Sequence, residues 1–344
     1  MLEVPGVKGV FHVVDFIAVE RIASVDWQSI LSKVREIFGN ASSASHSLNE
    51  ETENTAQPAL DTFGEVQVQV QMFRGIPMQI KLLAGEQQVR VGLPERFAKA
   101  ALQAQASSSN LVMERKWEER GVRYGEMSEI GKQVADELAA AYDQERLDTL
   151  VKQAFEVNEN GKPPVKKSLS SEEIAAMFQE PDWETRYAAL EQMNPTKADI
   201  KLLGRALEDP KTSIRRLAVV YLGMIEGKEV LPYLFKALRD KSAVVRRTAG
   251  DTLSDLGDTD AMGPMMEALR DKNKLVRWRA ARFLYEVGDE TAIPALRAAQ
   301  DDPEFEVSLQ IRLALERIEG GEEAAGTVWQ QMTRSRTKEG DSEQ

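Results

Sequence analysis

Arginine is the chemically capable residue that recurs most regularly in this chain. Arg186, Arg215, Arg246 and Arg277 each stand six residues after an acidic residue, namely Glu180, Asp209, Asp240 and Asp271. An array of guanidinium groups at fixed spacing could grip a polyanion. A second row lies beside it: Arg216, Val220 and Met224, then Arg247, Asp251 and Asp255, then Trp278, Arg282 and Glu286, then Leu309, Leu313 and Arg317. Trp and Arg dominate interface hot spots, which makes Trp278 between Arg247 and Arg282 the sharpest feature of that row. Arg216, Val220, Arg247, Asp251, Trp278, Arg282 and Glu286 are the candidates for contact with a protein partner. The plainer reading packs Trp278 against its neighbouring unit and lays arginine stems over it. For acid–base chemistry the row offers carboxylates such as Asp251 and Asp255, and such a pair on an exposed helix is ordinarily just solvated.

Composition removes several classes of chemistry. The 344 residues include no cysteine, which excludes disulfides, thiolate zinc sites, cysteine-ligated clusters and cysteine nucleophiles together. Histidine occurs only as His12 and His46, too few for a histidine metal cluster. The balance of 44 basic against 56 acidic side chains, net −12, disfavours general binding to nucleic acid or an anionic membrane. There is no apolar run of about 18 residues and no charged start followed by an apolar stretch, so no membrane span or secretory signal is expected. The cytoplasm is the expected compartment, and no cofactor is called for.

A repeat must position the two rows. Ala206-Leu207-Glu208-Asp209, Ala237-Leu238-Arg239-Asp240, Ala268-Leu269-Arg270-Asp271 and Ala299-Gln300-Asp301-Asp302 recur at a step of 31 residues, and a fixed period of this kind marks a solenoid of stacked units. Ile214, Val245, Val276 and Val307 follow each Asp at a constant distance. Ala218, Ala249 and Ala280, then Leu222, Leu253, Leu284 and Leu315, then Ile225, Leu256, Val287 and Ile318 complete one helical face. After Val307 the arginine is lost to Ser308. An earlier unit runs from a Ser170–Glu173 capping box through Arg186, which predicts five helix pairs over 171–332, a last helix near 322–332 and a disordered tail at 333–344. The second row varies from copy to copy while the apolar face holds, as expected if stacking fixes one set and frees the other.

This pattern resembles the HEAT repeats, especially the short variety also found in bilin lyases. The resemblance implies that Asp209, Arg215, Asp240, Arg246, Asp271 and Arg277 form a structural ladder of Asp–Arg hydrogen bonds linking adjacent repeats, which takes the regular arginines out of the polyanion reading.

The amino-terminal part reads differently. Val7–Val14 and Phe16–Glu20 are predicted strands, and Asp26-Trp27 opens a predicted helix with Ile30, Leu31, Val34 and Ile37 at helical spacing. The run Leu2-Glu3-Val4-Pro5-Gly6-Val7-Lys8-Gly9-Val10-Phe11, with Asp15–Val19, Asp26-Trp27 and Leu31, resembles the second half of the Nfu/NifU amino-terminal domain of iron–sulfur cluster assembly. Residues 1–39 are therefore expected to be a partial domain of that type, truncated by a shortened start. The paired cysteines of the family's cluster-binding module are absent, so cluster binding is not carried over. The serine- and glutamate-rich stretch 40–61 is an expected flexible linker. Val66, Val68, Val70 and Met72 alternate with glutamines, two more strands follow, and a helix from Pro94 turns Phe97, Ala100, Ala101 and Leu102 inward. A long strand or hairpin arm over Leu111–Tyr124 and two helices complete an α+β domain at 62–156, whose sheet is expected to accept the 7–20 hairpin. A second linker spans 157–170.

The expected fold is thus multidomain, an N-terminal α+β domain followed by an all-α HEAT-like solenoid. The combination of an Nfu-type start with short HEAT-like repeats resembles the conserved virulence factor C family of Gram-positive bacteria. That resemblance implies a regulatory or accessory role rather than defined chemistry, and the amino-terminal half alone suggests a link to iron–sulfur protein maturation. With the repeats, the expected function is a non-enzymatic scaffold that binds a protein partner through them, accessory to that maturation or to virulence regulation. The alternative is a bilin-lyase-like enzyme acting on a tetrapyrrole.

Overall fold

The structure is a computed structural model that describes residues 64–156, 169–225, 227–324 and 326, the strands 7–13 and 16–21, and positions 4, 5, 30 and 33. Of the helix expected from Asp26 only positions 30 and 33 are described, and both are helical, with Ile30 buried. The linker 40–61, most of 157–170 and the tail 333–344 lie outside the described residues, and of the helix expected near 322–332 the described residues 322–324 are not helical.

The glutamine alternation makes β3 (Glu65–Phe73), with Val66, Val68, Val70 and Met72 buried. Arg74 and Gly75 follow with φ of 49° and 82°, the left-handed pair that a two-residue hairpin turn requires. A non-glycine residue in that region is strained by roughly 1–3 kcal/mol. Arg74 is held there by its own side chain, which donates to Glu114 at 2.9 Å, to Ser107 Oγ at 2.8 Å and to the Ala154 carbonyl. One guanidinium thereby ties the sheet turn to three other segments.

The chain continues through β4 (Ile76–Ala84), β5 (Gln87–Gly92), α1 (Glu95–Gln105), α2 (Leu111–Glu114), β6 (Lys116–Tyr124), α3 (Met127–Ala141) and α4 (Gln144–Phe155). The four strands form an antiparallel sheet in the order β5-β4-β3-β6. Three expectations need correction. The segment 111–124 is not one strand: the Asn110 side chain accepts from the Met113 amide and caps α2 before the strand starts. Leu102 is exposed, because the apolar stripe of α1 is Phe97, Ala100, Ala101 and Ala104, and Leu102 falls well round the helix from it. The amino-terminal hairpin of β1 (Val7–Val13) and β2 (Phe16–Arg21) pairs with itself and not with the larger sheet. Of the two edges of that sheet, β6 carries Lys116, Glu118, Glu119 and Arg120, charges that discourage strand addition.

Five helix pairs follow: α5 (Ser171–Met177) with α6 (Trp183–Glu191), α7 (Ile200–Ala206) with α8 (Thr212–Met224), α9 (Leu231–Ala237) with α10 (Ala243–Leu256), α11 (Met262–Ala268) with α12 (Lys274–Val287), and α13 (Ile293–Ala299) with α14 (Phe305–Glu319). Ser170 and Glu173 make the reciprocal capping box that starts α5. The repeating Ile214, Val245, Val276 and Val307 are buried, as are Ala218, Ala249 and Ala280, so each pair buries the same face against the next. The buried apolar residues of the α+β domain and of the repeats form one contiguous cluster. The α+β domain therefore packs on the solenoid.

Candidate functional site, the second-helix row

Each regular arginine reaches forward to the next unit. Arg186 Nε donates to Asp209 at 2.7 Å, Arg215 to Asp240 at 2.8 Å, Arg246 to Asp271 at 2.6 Å and Arg277 to Asp302 at 2.6 Å. The acid six residues before each arginine offers its backbone carbonyl instead, as Asp209 does to Arg215 at 2.9 Å and Asp240 to Arg246 at 2.8 Å. The Asp carboxylates also accept from the amide two residues on, at Lys211, Ser242, Asn273 and Glu304. Every member of this chain is satisfied, which is the condition under which buried ion pairs are tolerated. Arg277 has its pKa raised by the hydrogen bonds it donates to Asp302, with burial opposing.

The second row is not the open face expected of it. Much of it lies beneath the α+β domain, whose α3 packs against α6 and whose β6 end meets α10. Arg247 is buried, stacked 4.4 Å from the Tyr124 ring on one side and 5.7 Å from Trp278 on the other. It donates to the Tyr124 hydroxyl at 3.0 Å, to Asp251 at 3.1 Å and to the Leu275 carbonyl at 2.7 Å. Asp251 also pairs with Arg279 at 2.6 Å. Trp278 is partly buried within the solenoid, with Arg279 5.3 Å from its ring. Arg282 bonds Glu286 at 2.7 Å, and Glu286 is itself buried. Asp255 is exposed. The row thus divides: Arg216, Val220, Arg247 and Asp251 line the interface with the α+β domain, and Trp278, Arg282 and Glu286 make contacts within the repeats. Its variation from copy to copy fits this split, because the units that meet the non-repeating domain and the units that meet only repeats have different neighbours.

Several residues at this junction were not singled out from sequence. Arg123 and Glu137, both buried, form a two-pronged pair with contacts of 2.7 and 3.4 Å. Arg146 bridges to Glu191 on α6 at 2.8 Å, and Tyr221 donates to the Glu191 carbonyl at 3.3 Å. Burial raises the Glu137 pKa, but the charge and hydrogen bonds of Arg123 outweigh it and hold the carboxyl below its ordinary value. The sequence signal was faint, two adjacent carboxylates, Asp136 and Glu137, within the otherwise apolar run from Val134 to Ala141.

On the side of the first helices, an open groove of about 810 Å³ crosses α5, α7 and α9. The Tyr233 ring lies on Gly204, where any Cβ would collide with it. Lys201, Arg205, Glu172 and Glu208 line the groove, and Lys236 pairs with Glu208. Among the described residues no group of three or more His, Asp or Glu side chains could hold a metal ion, and no helix is long and apolar enough to cross a membrane.

These features define a class, a HEAT-repeat protein that carries a small antiparallel α+β domain on its second helices. A family model for HEAT repeats matches residues 171–254 and 232–316, one described as a virulence factor matches 71–151, and one for the amino terminus of the scaffold protein Nfu/NifU matches 1–45. The chain is 60% identical to the uncharacterized protein YpgR of Bacillus subtilis, over 98% of this chain and 88% of that one. It is 45% identical to conserved virulence factor C of Staphylococcus saprophyticus and 49% identical to that of Staphylococcus aureus strain USA300, in each case over 96% of this chain and 87% of the relative. The chain belongs to the conserved virulence factor C family.

Proposed function

We propose that the chain is a non-enzymatic scaffold that binds a protein partner through its HEAT repeats, using the groove across the first helices of the leading three pairs. The observation that carries this reading is the division of labour between the two faces. The second helices already hold the molecule's own α+β domain, while the first helices present an open groove with Tyr233 on its wall and both signs of charge along it. Aromatic side chains rimmed by charges are the usual make-up of an interface centre. The Nfu/NifU-like amino terminus supports a partner drawn from iron–sulfur protein maturation, and virulence regulation would then act through that partner in the cytoplasm.

Crosslinking and pull-down from the native bacterium, with the wild type against Tyr233→Ala combined with Lys201→Glu, tests the contact. The variant is expected to lose a partner that the wild type retains while keeping a cooperative melting transition, which separates a lost contact from a lost fold. An identical set of captured proteins would remove the groove from consideration. Protein purified anaerobically from the same cells is expected to show no absorption band beyond that of its aromatic residues, and a visible chromophore would overturn the scaffold reading.

A further inference from the structure

We infer that the cleft between the α+β domain and the repeats is a binding site for a small acidic molecule, its carboxylate or phosphate group seated on Arg216 and the Tyr187 hydroxyl. The space measures about 280 Å³, the liquid volume of roughly nine waters. Val70, Val134, Leu138 and Val220 supply apolar wall, and Arg120, Arg123 and Arg216 supply charge.

The charges do not balance from within. Glu137 is matched by Arg123 and Glu191 by Arg146. Arg216 forms no hydrogen bond or ion pair with any described residue, and Arg120 has only Glu118 at 3.3 Å, itself half exposed. Tyr187 is more than nine-tenths buried, lines the space and makes no hydrogen bond through its hydroxyl among the described residues. The Nε atoms of Arg120 and Arg123 are buried without an acceptor, while Arg216 is half-buried. Donors exceed acceptors, and buried donors without partners are costly unless something completes them. Burial first, and the neighbouring Arg123 charge second, push the Arg216 pKa down to about 10 against the pull of Glu137. Guanidinium and phenol hydroxyl together suit an oxyanion, which accepts from both. The apolar wall favours an acid with a carbon body over a bare ion.

Titration calorimetry of the full chain with inorganic phosphate, phenyl phosphate and benzoate separates the sources of the headgroup. Saturable one-to-one binding of phenyl phosphate or benzoate is expected, tighter than that of inorganic phosphate, with a rise in melting temperature. Arg216→Met is expected to weaken that binding about tenfold or more. Tyr187→Phe, which preserves the packing, is expected to weaken binding several-fold. Failure of all three probes to bind saturably, or binding unchanged in both variants, would overturn the site.

Discussion

Replacing Asp240 by alanine is expected to lower the free energy of unfolding by about 3 kcal/mol or more, because it strands the Arg215 guanidinium in the stack. Arg215 is only 2% exposed, and Asp240 is its carboxylate partner. The loss is read as a lower urea midpoint. The contrasting change is Lys236→Ala, which removes an exposed pair with Glu208 and is expected to cost less than about 1 kcal/mol. Equal effects from the two variants would show that the ladder contributes no more than a surface contact. Asp271→Ala should repeat the Asp240 result one unit along, since Arg246 depends on it in the same geometry.

The second large effect lies at the junction. Glu137→Gln leaves the buried Arg123 without its carboxylate and removes the negative charge closest in effect to Arg216. A loss of about 3 kcal/mol is expected for a buried pair broken in this way. The pH dependence carries its own signature. Glu137 is held below its ordinary value of 4.5 in the folded protein, so its contribution is fully present above the unfolded-state value and is lost as the pH falls through the lower folded-state one. The wild type should therefore lose stability on acidification below about pH 4.5 more steeply than Glu137→Gln, when both are followed by urea unfolding at each pH. Parallel curves would mean that Glu137 does not carry the acid sensitivity.

The repeats were legible because their 31-residue period places identical residues in identical environments, and burial then follows from position alone. Strand β3 was legible for a similar reason, since Val66, Val68, Val70 and Met72 alternate without interruption. The second row was visible as a set of residues, but its use was not. Tyr124 and Arg247 are separated by 123 positions, and no local pattern in either segment reports the other. Helix α3 shows the same limit. Its Ile130, Val134 and Leu138 read as one buried face, yet Gly131, Glu137, Ala140 and Ala141 are buried as well. A helix enclosed on two sides and carrying a carboxylate on the second is recognisable only once the surface opposite is known. The short α2 escaped because a four-residue helix rests on a single cap at Asn110 rather than on periodicity.

The Asp–Arg ladder has a direction, and it has a last rung. Each unit extends an arginine toward the following one, until the position after Val307 holds Ser308, whose hydroxyl turns back to the Gln300 carbonyl at 2.8 Å. Duplicating residues 240–270 in place would therefore be seamless, because the added Asp240 would receive the original Arg246 and the added Arg246 would reach Asp271. A unit appended beyond α14 would meet serine where it needs a guanidinium. Growth by gene duplication in the interior of the stack would thus keep every rung of the ladder, whereas a unit added after α14 would lack this one.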